Sequence, residues 1–163
     1  MNVTRRGLLR FTHRAALALI PASIAGCATQ ASKGYEIVHT DAEWSKILTP
    51  SQYLVLRQRA TEPAFSSPLD HEKREGIFDC AGCEQPVFSS KTKFDSGTGW
   101  PSFWKPIQNA VLESTDTSMA MERTEVHCSR CGGHLGHMFG DGPKPTGLRY
   151  CINGLALIFK PLA

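Results

Sequence analysis

The chain has 163 residues, 41% apolar and 20% charged. That is the size and balance of one compact domain with a modest core, and it argues against a disordered or multi-domain protein. The formal charge of +3 belongs to the first segment. Arg5, Arg6, Arg10 and Arg14 precede Cys27 with no acid among them, and without them the 18 basic and 15 acidic residues become 14 and 15. A body so balanced gives no basis for nucleic-acid binding.

The first segment reads as an address. Thr4-Arg5-Arg6-Gly7-Leu8-Leu9 resembles a twin-arginine export signal, and the weakly apolar run Ala15 to Ile24 is too short to span a bilayer as a lasting helix. Ile24-Ala25-Gly26-Cys27 follows and resembles the lipobox of bacterial lipoproteins. That resemblance implies cleavage before Cys27, a diacylglyceryl group on its thiol, and anchoring to the periplasmic face of a bacterial membrane. Ala28, where an Asp would hint at retention in the inner membrane, points to the outer membrane of a cell that has two. The alternative is a plain cleavable signal, an incidental Cys27 and a soluble periplasmic protein. Twin-arginine export carries folded proteins, so a metal loaded in the cytoplasm would travel with the domain. Residues 1–27 are therefore read as signal, 28–34 as a small polar tether, and 35–163 as the folded domain.

Two helices are predicted at its start, about 41–48 and 50–59. Thr40-Asp41-Ala42-Glu43 and Thr49-Pro50-Ser51-Gln52 each put a hydroxyl at the N-cap and an acid or amide three residues on, and Pro50 suits the first helical position. Tyr53, Leu54 and Leu56 are expected on the buried side of the second. Past Pro63 the pattern changes to short β-like runs divided by Gly, Pro, Asn and Asp: Gly76 to Phe78, Pro86 to Phe88, Ala110 to Glu113, Thr124 to His127 and Ala156 to Phe159. A mainly β domain with antiparallel sheets and short N-terminal helices is the economical assignment.

The cysteines divide by chemistry. Cys80/Cys83 and Cys128/Cys131 form two CxxC pairs, each led by a strand-like residue. Such turns point two thiolates at one spot, and two of them complete the tetrahedral sulfur shell that zinc prefers. Residues 84–127 separate the pairs, so the metal would join two distant hairpins, and four thiolates leave no open position for a catalytic water. Two disulfides, or two dithiol redox pairs, are the alternative in an oxidising compartment.

Cys151 stands in Gly147-Leu148-Arg149-Tyr150-Cys151-Ile152-Asn153-Gly154. On a strand Arg149, Cys151 and Asn153 share a face. A fixed positive charge favours the thiolate, the form that attacks, and Asn153 is placed to orient a neighbour or the substrate. Taken alone, a single cysteine is more often a small buried apolar residue than a nucleophile.

Several segments together are similar to the methionine-R-sulfoxide reductase (MsrB) family. They are Gly76 to Cys80 with Cys83, Lys93 to Phe103 with its Ser96-Gly97-Thr98-Gly99-Trp100-Pro101 centre, Arg123 to Val126, Gly133 to Phe139, Asp141-Gly142-Pro143 and Arg149 to Asn153. In order and spacing they cover about residues 41–160. The resemblance implies two antiparallel β-sheets, one structural Zn2+ on Cys80, Cys83, Cys128 and Cys131, and reduction of the R epimer of methionine sulfoxide in oxidised proteins or peptides.

The same resemblance implies roles for individual residues. Cys151 attacks the electrophilic sulfur and becomes a sulfenic acid, while His134 and His137 lie beside the basic oxygen, where an imidazole is suited to give up a proton. Trp100 packs the substrate methyl group, with Phe103 and Phe139 completing the wall. Arg149 helps hold the thiolate, and Asn153 supports the histidines and the cysteine. Read singly, Trp100 suits a core position, Arg149 a solvated strand surface, and the histidines a glycine-rich loop or zinc ligation in place of a cysteine.

One position departs from the family. Many members have a resolving cysteine where this chain has Thr98. The remaining thiol is Cys27, which lipidation would remove. A one-cysteine enzyme served by a thioredoxin-like or other thiol reductant is then expected; an unmodified Cys27 on a mobile tether is the other possibility. A monomer is expected. Two rival functions are a zinc-stabilised module that binds a peptide without turnover, favoured by the loss of the thiol at Thr98, and a zinc hydrolase with His134 and His137 as ligands.

Overall fold

The protein is described from a computed structural model that covers residues 34–162, the side chain of Met119 excepted. Residues 1–27, read above as a signal and including Cys27, and residues 28–33 of the expected tether lie outside the described residues. No helix among the described residues is long and apolar enough to cross a membrane.

Both predicted helices form on the residues that begin them. Helix α1 (Asp41–Ile47) starts at a reciprocal capping box: Glu43 N donates to Thr40 Oγ1 at 3.3 Å and Thr40 N donates to Glu43 Oε2 at 2.7 Å. Helix α2 (Pro50–Gln58) repeats the device with Thr49 and Gln52 and ends at Arg59, whose φ of 58° lets the chain leave. The face expected to be buried on α2 is corrected in part. Leu56 is buried and Tyr53 half-buried, but Leu54 is 47% exposed and Val55 takes its place in the core. A nine-residue helix touches the body along only part of one side, so one position decides which apolar residue faces inward.

Nine strands follow in chain order: β1 (Gly76–Cys80), β2 (Pro86–Ser89), β3 (Lys93–Phe94), β4 (Ser102–Phe103), β5 (Val111–Asp116), β6 (Arg123–Cys128), β7 (His134–Phe139), β8 (Arg149–Ile152) and β9 (Leu157–Pro161). They make two antiparallel sheets, one ordered β2-β1-β9 and the other β3-β4-β8-β7-β6-β5. The predicted fold class therefore holds. Phe78 from the small sheet packs edge-on against Phe103 from the large one, centroids 5.0 Å apart, and Phe103 stacks on Phe88 at 4.4 Å. Each of these rings is fully buried, which stabilises the fold by about 1.5–3 kcal/mol per side chain.

Register in the large sheet places the chemistry. Ser102 lies opposite Cys151, Cys151 opposite His137, and His137 opposite Glu125. Directly opposed residues project from the same face, so this row crosses four strands on one side of the sheet. Between Val126 and His127 the β6–β7 pairing shifts by one, with Leu135 as the extra residue of a bulge.

Candidate active site and metal centre

The metal centre is built by two matching knuckles. After each second cysteine the chain turns through a left-handed residue, Glu84 at φ 57° and Gly132 at φ 68°. Glu84 N then donates to Cys80 O at 2.8 Å, and Gly132 N to Cys128 O at 2.9 Å. At Gly132 the Tyr35 ring occupies the space a Cβ would need, so glycine is required there.

The sulfurs of Cys80 and Cys131 are 3.7 Å apart and those of Cys83 and Cys128 3.6 Å, with all four inside 4.8 Å. A zinc tetrahedron with bonds of about 2.3 Å has edges of about 3.8 Å, whereas a disulfide needs about 2.05 Å. Both of these pairs run between knuckles, and the five cysteines among the described residues are free thiols. The four cysteines therefore fit one Zn2+, and the disulfide alternative does not match the geometry. No imidazole belongs to the cluster, so the hydrolase arrangement is not present. Arg57 donates to Cys131 O at 3.1 Å and Arg130 to Cys83 O at 3.4 Å. These cations offset the net negative charge of four thiolates on one dication.

The second site is a cleft of about 140 Å3 on the face of the large sheet that carries Cys151. Cys151, His137 and Phe139 form its strand-borne wall, with Trp100, Asn153, Thr61, Arg123 and Gly136 around them. A Cβ on Gly136 would run into the backbone of Cys151, so glycine lets β7 and β8 close at this point.

Cys151 is half-buried, and burial pushes its thiol above the ordinary value; the Thr98 hydroxyl and the Arg149 guanidinium pull it back only in part. Arg149 therefore acts in the expected direction without dominating. It is itself engaged, donating twice to Asp141 at 2.8 Å and lying 4.5 Å over the Phe139 ring. Thr98 Oγ1 is 3.9 Å from the sulfur, and the hydroxyl chain continues to Ser96 Oγ and from there to Ser102 Oγ at 2.8 Å each. Thr98 thus puts an O–H, not a thiol, beside the Cys151 sulfur.

The two histidines are tied to carboxylates. His134 Nδ1 donates to Glu125 Oε1 and His137 Nε2 to Asp116 Oδ2, both at 2.8 Å. The carboxylates only accept, which fixes the tautomers. The imidazole centroids are 5.4 Å apart, edge to face. Both lie on a strand rather than on a loop. Burial lowers the His137 pKa against the opposing pull of Asp116. Asp116 is held well below the usual range by Ser118, then His137 and Arg123. For Glu125, burial raises the pKa but the hydrogen bond and charge of His134, with Arg59, outweigh it and bring it below the ordinary value. His134 Nε2 is buried without a hydrogen-bond partner.

Three placements refine the expectations. Phe103 does not line the cleft: it follows Ser102, the residue opposite Cys151, so strand alternation turns it to the core side, where it is fully buried. Asn153 donates from Nδ2 to Leu135 O at 3.1 Å and accepts at Oδ1 from Glu62 N at 3.0 Å. Its two side-chain bonds thus go to backbone, one on the histidine strand itself and one at Glu62. Trp100 edges the cleft and donates from Nε1 to Glu62 O at 3.1 Å. Asp116, Glu125, Asp141 and Glu62 are not among the site residues that the sequence motifs single out. Glu125 and Asp141 stand inside the quoted motifs, but Asp116 and Glu62 lie outside them, and their parts depend on long-range pairing.

The SelR domain family matches residues 48–161. A peptide methionine sulfoxide reductase MsrB of Leptospira interrogans is 53% identical over 127 residues, 77% of this chain and 97% of that protein. One of Methanosarcina barkeri is 57% identical over 122 residues, 74% of this chain and 86% of the relative. The namesake in Agrobacterium fabrum is 51% identical over 124 residues, covering 76% and 92%.

Proposed function

This chain belongs to the SelR domain family, and on that premise we propose that it is a peptide-methionine (R)-S-oxide reductase with Cys151 as nucleophile. The observation that carries the reading is the row of Cys151 and His137 across β8 and β7, facing a cleft edged by Trp100. The substrate methyl packs on Trp100 beside Phe139, which leaves the sulfoxide sulfur toward Cys151 and its oxygen toward the imidazoles. Cys151 sulfur attacks, the sulfur–oxygen bond breaks, and the oxygen passes to Cys151. The thiol proton moves by way of His137 to that oxygen, so one thiol and one sulfoxide become one sulfenic acid and one methionine. Asp116 orients His137, Glu125 orients His134, and Arg149 with Thr98 offsets the charge gathering on sulfur. The zinc tetrahedron joins the knuckles and takes no part in the reaction.

With Thr98 beside Cys151, the sulfenic acid has no resolving thiol among the described residues. A thiol reductant supplies two electrons from two thiols, giving back Cys151, a disulfide and water. We also propose, on the motifs of residues 4–9 and 24–27, export by the twin-arginine route and lipid anchoring through Cys27, the domain acting as a monomer. The mass of the mature N-terminal peptide tests the anchor, and an unmodified Cys27 would rule it out. The reaction is tested by single-turnover release of methionine from separate R and S sulfoxides. Release from the R form only, lost in Cys151→Ser, is expected; release from neither by zinc-loaded, reduced protein would leave a binding module as the better reading.

A further inference from the structure

Glu62 is 3% exposed and has no ion-pair partner among the described residues. A buried carboxylate without a cation is costly unless hydrogen bonds satisfy it, and here they come from one place. Oε1 accepts from Gly154 N at 2.6 Å and Oε2 from Leu155 N at 2.9 Å. These are the first amides of the single 3-10 turn Gly154–Ala156, whose N-cap residue Asn153 makes no side-chain capping bond. Glu62 therefore caps a turn that belongs to a segment more than ninety residues away. That leaves the Asn153 amide to hold Glu62 N and Leu135 O.

The main chain of the same residue holds the other side of the cleft. Glu62 O accepts from Trp100 Nε1, and three residues on, Phe65 N donates to Gly99 O at 2.7 Å. Residue 62 is thus the point at which Trp100 and the Asn153 turn are fastened to one another. Its carboxylate fixes where its carbonyl lies, and the carbonyl fixes the edge of the indole.

We propose that Glu62 is a positioning residue for the reductase reaction, setting the distance between the indole that receives the substrate methyl and the Cys151 strand, and so the size of the alkyl group the cleft accepts. This rests on the reductase reading. Glu62 touches no reacting atom. Replacing the carboxylate by an amide leaves one N–H facing another and loosens that spacing.

The test measures kcat/KM for the R sulfoxides of methionine and of ethionine, its S-ethyl analogue, with the whole protein and its Glu62→Gln and Glu62→Asp variants. The ratio of the two constants does not depend on the fraction of active protein, so loss of folded enzyme alone would not move it. Glu62→Gln is expected to lower the methyl-over-ethyl preference about tenfold, as loss of one charge-assisted hydrogen bond would. Glu62→Asp, one methylene short of reaching both amides, should lower it less and carries the test if the amide variant does not fold. An unchanged ratio in whichever variants are active overturns the proposal. Absence of turnover in the unaltered protein would instead overturn the reductase reading.

Discussion

Cysteine sulfur occurs in two settings in this domain, and the contrast explains what each does. At the knuckles four thiols converge within 4.8 Å, three of them nearly or fully buried. So many sulfurs so close cannot all be thiolates without a cation, and zinc both supplies it and withdraws their lone pairs from chemistry. In the cleft Cys151 stands alone, its neighbours being a hydroxyl, a guanidinium and, across the ladder, an imidazole. Cys151 belongs to no group of metal-ligating side chains among the described residues, and its sulfur stays available to an electrophile.

The comparison breaks most completely at the knuckles. Cys128→Ala removes one zinc ligand, and structural zinc contributes on the order of 10 kcal/mol in small domains, comparable to the whole stability of a domain at about 5–15 kcal/mol. The variant is expected to lose both metal and cooperative unfolding, measured by metal analysis and thermal melting. Retention of a normal melt would show the knuckles to be dispensable.

A smaller effect is expected at the cleft. His137→Gln, which removes the proton carrier but leaves Cys151, should slow single-turnover methionine release by about a hundredfold while zinc content stays the same. A loss under threefold would point to His134 or water as the proton carrier.

Thr98→Cys sharpens the contrast by adding a second sulfur to the cleft. One turnover should then end in a disulfide between the introduced thiol and Cys151, with water as the other product, seen as a linked peptide by mass mapping. A persistent sulfenic acid would mean that the 3.9 Å separation cannot close.

The smallest effect concerns pH. Because burial raises the Cys151 pKa, its thiolate is gained only above that raised value, so alkylation by iodoacetamide should still be climbing above pH 8. Thr98→Val removes a donor that lowers the pKa, and should move the curve to higher pH and slow alkylation at pH 8 about fivefold, the equivalent of one hydrogen bond of about 1 kcal/mol. A shift to lower pH would show that Thr98 accepts from the thiol.

What the sequence determined by itself was local. Each capping box lies within four residues, and each knuckle closes on itself, so helix starts and zinc ligands were legible from spacing. Five strand runs were legible from apolar residues set between turn residues, whereas the six-residue β7, with Gly136 inside it, did not read as a strand. The two-residue strands β3 and β4 were not legible either, and with β4 unseen Phe103 was placed on the wrong side of the sheet. Leu54 was misplaced because only docking of α2 decides its inner face.

Tertiary structure decided the rest through contacts distant along the chain. His134 and His137 are three residues apart, and regular alternation would send them to opposite faces; the extra residue Leu135 resets the parity and brings both imidazoles to one side. Likewise Asp116, twenty-one residues from His137, and Glu62, more than ninety from Gly154, acquire partners only when the strands pair and the turn closes. Spacing carries information where the backbone geometry is local and periodic, and a bulge or a cross-chain carboxylate is neither.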